Sequence, residues 1–392
     1  MRYLLAPDSF KEAVDAVAVA KAMRRGVLAG DGAAETRMLS LSDGGEGLAL
    51  ALVSATHGML RHARVHDALG YPIEAQYGFL GHDNPFGNVR TAVIELASAS
   101  GIERIPKARR DPMSASSFGT GELIMAAINA GAQRIILGLG GSASTDGGAG
   151  IATACGYRFL DKHGKPLEQG GGSLSQLHAI DAGHLNSTAA SIPIVIASDV
   201  TNPLTGLHGA ARVFAPQKGA NAMQVDKLDS GLAQFSACIA SFNGKDVRGI
   251  AGAGAAGGSG AGLLGLFNAT IQSGIALVLD LVNGREACQW ADLVITGEGS
   301  IDAQTPYGKV PSGIAKLAQT EGKPCIAIGG RIKLDTDDRK RLRDQGIVAT
   351  FGITPGPADF ESLLATTEEN VETTCASIAS LLKTHLCGAS GA

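Results

Sequence analysis

Arg134-Ile-Ile-Leu-Gly-Leu139 runs directly into Gly140-Gly-Ser-Ala-Ser-Thr-Asp-Gly-Gly148, and Ala149-Gly-Ile-Ala-Thr-Ala-Cys155 follows. A short apolar run, a glycine loop and a helix-compatible segment, in that order, read as a parallel strand feeding a loop and then a helix. The backbone N–H groups of such a loop can gather at the helix N-terminus, where an anion is favoured, and Ser142, Ser144 and Thr145 add hydroxyl donors. Packing alone needs one or two glycines rather than this many. A phosphate or carboxylate site is therefore expected in this loop, at Gly140, Gly141, Ser142, Ala143 and Asp146.

The same unit recurs outward from this stretch in both directions. Arg2 to Ala6 reads as a strand, and Ala16, Val19, Ala20, Met23 and Val27 fall on one helix face. Ser9-Phe-Lys-Glu12 fits a capping box, but the periodic positions begin after Asp15, which is the expected N-cap. Leu39 to Asp43 leads into a helix from Gly47, Ile192 to Ser198 into Asp199, Leu293 to Thr296 into Gly297-Glu-Gly299, and Pro324 to Gly329 into Gly330. Residues 60–95 instead alternate apolar positions with turns, as antiparallel strands do. The expected fold is α/β, with a Rossmann-like or flavodoxin-like parallel-sheet domain from 1–65 plus 286–392 and an inserted mixed α/β domain over 66–285. Ligands of such sheets bind at the carboxyl ends of the strands, where these Gly and Asp loops lie.

Composition agrees with two globular domains: 392 residues, 45% hydrophobic and 18% charged. The 54 glycines exceed the usual share of roughly 7%, and they cluster, as loops shaped around a ligand do. A net charge of −4 and 4% aromatic content lack the basic surplus and stacking rings of a nucleic-acid binder. The six cysteines are far apart, without a CxxC pair or histidines at zinc spacing, and read as reduced thiols. No apolar run approaches about 18 residues and the N-terminal run is shorter than a signal-peptide core, so a cytoplasmic location is expected.

Several constellations carry chemistry. Asp8, Ser9 and Lys11 follow the first strand and can bind an anionic substrate and phosphate together; a turn with a solvated lysine is the alternative. Asp43 and Glu46, among the glycines of Ser42-Asp-Gly-Gly-Glu-Gly47, can hold Mg²⁺ through oxygens, or else complement a helix dipole. Asp199, at a strand end before Asn202-Pro203, can take the proton of an attacking hydroxyl, or else form an Asx turn. Arg212 and Lys218 offer cations to an anion, and both also suit a solvated surface. Gly252-Ala-Gly254-Ala-Ala-Gly257-Gly258 matches a dinucleotide fingerprint, and Asp280 follows at the end of Ala276-Leu-Val-Leu. The polar segment before Gly252 does not supply the feeding strand that fingerprint needs, so a glycine loop without nicotinamide is expected. Glu298 and Asp302 can face a metal or substrate, and Lys309 can neutralise charge on a transferred phosphoryl group. A Walker A motif is absent.

The ordered set Ala6-Pro-Asp-Ser-Phe-Lys11, Ser42-Asp-Gly-Gly-Glu-Gly47, Gly140-Gly-Ser-Ala-Ser-Thr-Asp-Gly-Gly148, Ser198-Asp-Val-Thr-Asn-Pro203, Gly254-Ala-Ala-Gly-Gly258 and Thr296-Gly-Glu-Gly-Ser-Ile-Asp302 closely resembles the bacterial glycerate kinase family, from residue 3 to about 355. The resemblance implies D-glycerate as acceptor, ATP with Mg²⁺ as donor, 2-phosphoglycerate as product and an active site in a cleft between two domains. It implies small-molecule partners and leaves a homodimer open. Ser144-Thr145 stands where relatives commonly carry Thr-Asn, and Ser198 where many carry Cys; neither change removes a charge. Combined with the residue reading, the expected roles are catalysis for Asp199, Lys11, Asp8 and Lys309, and substrate binding for Ser9, Arg212, Asn202 and Lys218. Phosphate or nucleotide contacts are expected from the 140–146 residues named above with Gly254, Gly257 and Gly258, and metal contacts from Asp43, Glu46, Glu298 and Asp302.

Overall fold

A computed structural model describes residues 1–10 and 13–389. The chain divides into two compact units, Met1–Asp43 with Ile275–Ala392, and Gly44–Gly274.

The first unit is built on five parallel strands in the order Ile347–Gly352, Cys325–Lys333, Leu293–Asp302, Arg2–Leu5, Glu35–Met38. In chain order this is 5-4-3-1-2, the flavodoxin-like arrangement, which reverses direction between Arg2–Leu5 and Leu293–Asp302. Tyr3, Leu5, Ile295 and Ile328 fill the sheet side of the core. Asp15 caps the helix Ala16–Gly30, its side chain accepting from Ala18 N at 2.9 Å, and the expected face of Ala16, Val19, Ala20, Met23 and Val27 is buried. The helix Thr367–Ala389 lies on it so closely that a β-carbon on Gly26 would stand 2.1 Å from the Glu372 carbonyl oxygen.

The second unit carries a six-stranded sheet in the order Ala269–Gln272, Ile194–Ala197, Arg134–Gly138, Thr91–Glu95, Pro72–Phe79, Met59–His66, and a separate pair, Arg158–Leu160 with Ala179–Asp181. The first four strands of the sheet are parallel and its last two are antiparallel, as the pattern of 60–95 suggests. Ile94, Ile135, Leu137 and Ile196 are fully buried between flanking helices, which is why these strands read as continuous apolar runs. The helix Leu48–Ala55 belongs to this unit.

One segment differs from the expected elements. The strand before Asp43 is Glu35–Met38 rather than Leu39–Asp43: beyond Met38 the chain keeps single bonds, Leu39 N to Leu5 O and Leu41 N to Pro7 O, and only Leu41 and Ser42 are buried. Ala276-Leu-Val-Leu and Asp280 lie in the helix Gly274–Leu281.

Candidate active site

In the first unit the strand order reverses beside the ends of Arg2–Leu5 and Leu293–Asp302, the place where such sheets bind ligands. Asp8 leaves the first of these strands, 6% exposed, and its N–H donates to the Gly297 carbonyl at 2.9 Å. Its carboxylate accepts from Ser9 N at 2.7 Å, so the acid is fixed by its own turn. Lys11 lies outside the described residues.

On the neighbouring strand Glu298 is buried and accepts from Thr305 Oγ1 at 2.6 Å. Lys309, the residue before the helix Val310–Thr320, places its ammonium 3.2 Å from Glu298 and 3.8 Å from Asp302. Burial raises the Glu298 pKa, and the lysine opposes that rise. The three charged groups expected at this end therefore form one cluster.

In the second unit four loops meet at the carboxyl ends of the parallel strands. Gly138 and Ala197 are register partners, so the segments carrying Ser142 and Asp199 leave adjacent strands at the same end. A β-carbon on Gly44 would stand 2.5 Å from the Ala197 carbonyl oxygen, and one on Gly140 would stand 2.5 Å from Gly45 Cα. Gly257 packs against Ser144, where a β-carbon would meet the carbonyl oxygen at 2.1 Å, and Gly147 N donates to the Gly257 carbonyl. Gly254 N donates to the Asn202 carbonyl. Ala256, Gly257 and Gly258 are successively left-handed, at φ 52°, 63° and 89°, a turn that costs glycine little. The dinucleotide-like glycines thus clamp the 140–148 loop. The chain reaches them from the helix Ala222–Asn243 through turns rather than from a strand.

Within the 140–148 loop, Asp146 is fully buried and accepts from Ser117 N, Ser117 Oγ, Gly148 N and Gly150 N at 2.8–3.2 Å. The anion at the N-terminus of helix Ala149–Ala154 is thus the protein's own carboxylate; ahead of it Gly140 is half-buried, Gly141 exposed and residues 142–145 buried. There Ser144 Oγ and Thr145 Oγ1 are buried without a hydrogen-bond partner among the described residues, a condition that costs about 1–3 kcal/mol each. Ala143 is buried, its N–H bonded to the Ser100 carbonyl. Asp199 is half-buried and accepts from Ser273 Oγ at 2.6 Å.

Other expected residues have local partners. Asn202 Nδ2 donates to the His208 carbonyl, and Arg212 is paired with Asp226 at 3.0 Å and Asp229 at 3.8 Å. Lys218 is not on the surface: it is 2% exposed. Asp43 is half-buried and Glu46 exposed.

Sequence reasoning passed over Glu95, the last residue of strand Thr91–Glu95. It is buried, its Oε1 accepts from Ala49 N at 2.7 Å, and it holds the N-terminus of helix Leu48–Ala55 behind the Ser42–Gly47 loop. Burial, the largest cause, pushes its carboxyl up to about 7 against hydrogen bonds from Ala49 and Gly47. An acid inside the apolar Val93-Ile-Glu-Leu was the available signal.

Glycine-clamped loops with acids and lysines at the ends of parallel strands make this an α/β protein of the class that holds anionic ligands at strand ends. The comparisons give the family: the profile described as Glycerate kinase family matches residues 3–383, and the chain belongs to that family. It is 44% identical over 383 residues to a glycerate kinase of Bacillus subtilis, covering 98% of each chain. It is 42% identical over 353 residues to the glycerate 2-kinase of Escherichia coli, covering 90% of each. A crystal structure named for glycerate kinase 2, from Salmonella typhimurium, superposes with a TM-score of 0.84 at 42% identity, covering 98% of this chain and 99% of that one. Membership of a kinase family implies ATP as the phosphate donor. No described helix is long and apolar enough to cross a membrane.

Proposed function

We propose that this chain transfers the γ-phosphoryl group of ATP to the 2-hydroxyl of D-glycerate, giving 2-phosphoglycerate and ADP. The observation that carries this reading is the match to a glycerate 2-kinase along 90% of both chains. Asp199 is the proposed base: the hydroxyl oxygen bonds to the γ-phosphorus, the bond to the β,γ-bridging oxygen breaks, and the hydroxyl proton passes to the carboxylate. The hydrogen bond from Ser273 Oγ orients that carboxylate. Gly140, Gly141 and Ser142, with the two unsatisfied hydroxyls behind them, are the proposed phosphate contacts, and Gly254, Gly257 and Gly258 hold their loop in shape. Asp8, Ser9 and Lys11 are proposed for substrate; Asn202 and Arg212 would have to exchange the partners they now hold.

Mg²⁺ is suited to oxygen donors and commonly takes only one or two carboxylates besides phosphate oxygens and water. Among the described residues no group of three or more candidate ligands is placed to hold a metal. A pair is present: Glu298 and Asp302 already attract one cation, the Lys309 ammonium, and would hold the metal, with Asp43 and Glu46 as the other candidates. Bound there, Mg²⁺ would supply positive charge against a phosphate group, and Lys309 is the proposed cation for phosphoryl oxygens.

Incubating the purified protein with ATP, Mg²⁺ and a panel of small hydroxy acids, followed by phosphorus NMR, tests the reading. The 2-phosphate couples to a single carbon-bound proton and gives a doublet, which is expected with D-glycerate alone. A triplet, from the 3-phosphate, would contradict the regiochemistry, and no phosphate ester with any acid would contradict the activity.

A further inference from the structure

Lys218 ends the 3-10 turn Pro216–Lys218, and Gly219, at φ +102°, carries the chain away against the Arg110 carbonyl. Its ammonium is buried and donates to Ser142 Oγ at 2.8 Å and to the Ser144 carbonyl oxygen. Both acceptors are neutral. The favourable charge acting on it is Asp146, whose oxygens are already engaged by Ser117, Gly148 and Gly150. Other charged groups nearby are turned to their own partners: Arg110 to the Ile105 and Ile102 carbonyls, and Arg212 to Asp226 and Asp229. A buried cation with incomplete compensation is costly, and desolvation pulls Lys218 down to about 7, with Asp146 opposing. The same loop contains the two buried hydroxyls without partners among the described residues. An anionic oxygen group bound at this loop would compensate the lysine and give these hydroxyls an acceptor.

We propose that Lys218 is the positioning residue and positive pole of the Gly140–Gly148 loop, and that it takes up a proton when an anionic oxygen group binds there, either a phosphate of ATP or the carboxylate of glycerate. The proposal rests on the kinase reading for the identity of these two ligands. At pH 8 the free lysine is mostly neutral, and an anion beside it favours the charged form, so binding draws a proton from the buffer. A lysine that merely braced the loop would show no such exchange.

Calorimetric titration of the full-length protein at pH 8, in two buffers of different ionisation enthalpy, measures that proton directly. Separate arms use ATP with Mg²⁺ and D-glycerate. Uptake of about half to one proton is expected in one arm, which identifies the source of the anion. Lys218→Met should abolish the uptake and weaken that ligand about tenfold, the loss of one charge-assisted contact. Lys218→Arg, permanently charged, should restore binding without uptake. Should the methionine variant not fold, the wild-type and arginine proteins still decide. Turnover is measured in parallel. Turnover without uptake in either arm overturns this inference and leaves the proposed function standing. Uptake without turnover supports the inference and overturns the function, and failure of both ligands to bind overturns both.

Discussion

Asp199 concentrates the chemical question at the scale of a residue. It stands just beyond a parallel strand, half-buried, with one carboxylate oxygen engaged by Ser273. If it accepts the hydroxyl proton, Asp199→Asn keeps size and removes basicity, and kcat should fall by about 10²–10⁴ with a smaller change in KM. Steady-state kinetics showing less than about a threefold loss would remove the base from this position, with Asp8 the next carboxylate to test. Asp146 illustrates the opposite case, an acid in a conspicuous motif whose oxygens are spent on backbone and serine donors. Equal residue types in one loop can thus serve different ends, and burial with partner count separates them.

At the scale of the element, Glu95 ties a strand end to the start of helix Leu48–Ala55. Its folded carboxyl keeps a proton to about pH 7, whereas an unfolded one releases it near 4.5. The native state therefore binds more protons in that interval, and this group's contribution to stability falls as pH rises through it, by something of the order of 3 kcal/mol in full. Glu95→Gln removes that slope. Chemical unfolding at pH 5 and pH 8 should show the variant gaining on the wild type by about 2–3 kcal/mol at the higher pH, and an unchanged difference would place the ionisation elsewhere. Local signals were legible in the sequence: the Asp15 cap, the apolar face of Ala16–Gly30 and the strand-then-glycine order at 134–150 all depend on neighbours within a few positions. Contacts across long separations were not. Glu95 meets Ala49 across 46 positions and Lys218 meets Ser142 across 76, so neither partner could be read from spacing. Leu39–Asp43 misled because its alternation of Leu and Ser imitates a strand, whereas the strand itself is Glu35–Met38 and ends before it.

Taken whole, the chain pairs a flavodoxin-like sheet, with acids and a lysine where its order reverses, with a second sheet whose strand-end loops are packed glycine against backbone. The fold class was readable because both sheets are largely parallel and announce themselves as apolar runs ending in Gly or Asp. The flavodoxin-like order itself was not, since it depends on strands nearly 300 residues apart lying side by side. If the loops of unit Gly44–Gly274 form one cradle for an anionic ligand, with residues 140–145 as its contact surface, nucleotide must quiet their backbone. Amide hydrogen exchange with and without ATP and Mg²⁺ reads that out. Slower exchange in 139–146 and 253–258, with the edge strand Ile347–Gly352 unchanged, is the predicted result; exchange in both loops unaltered by saturating nucleotide would contradict it.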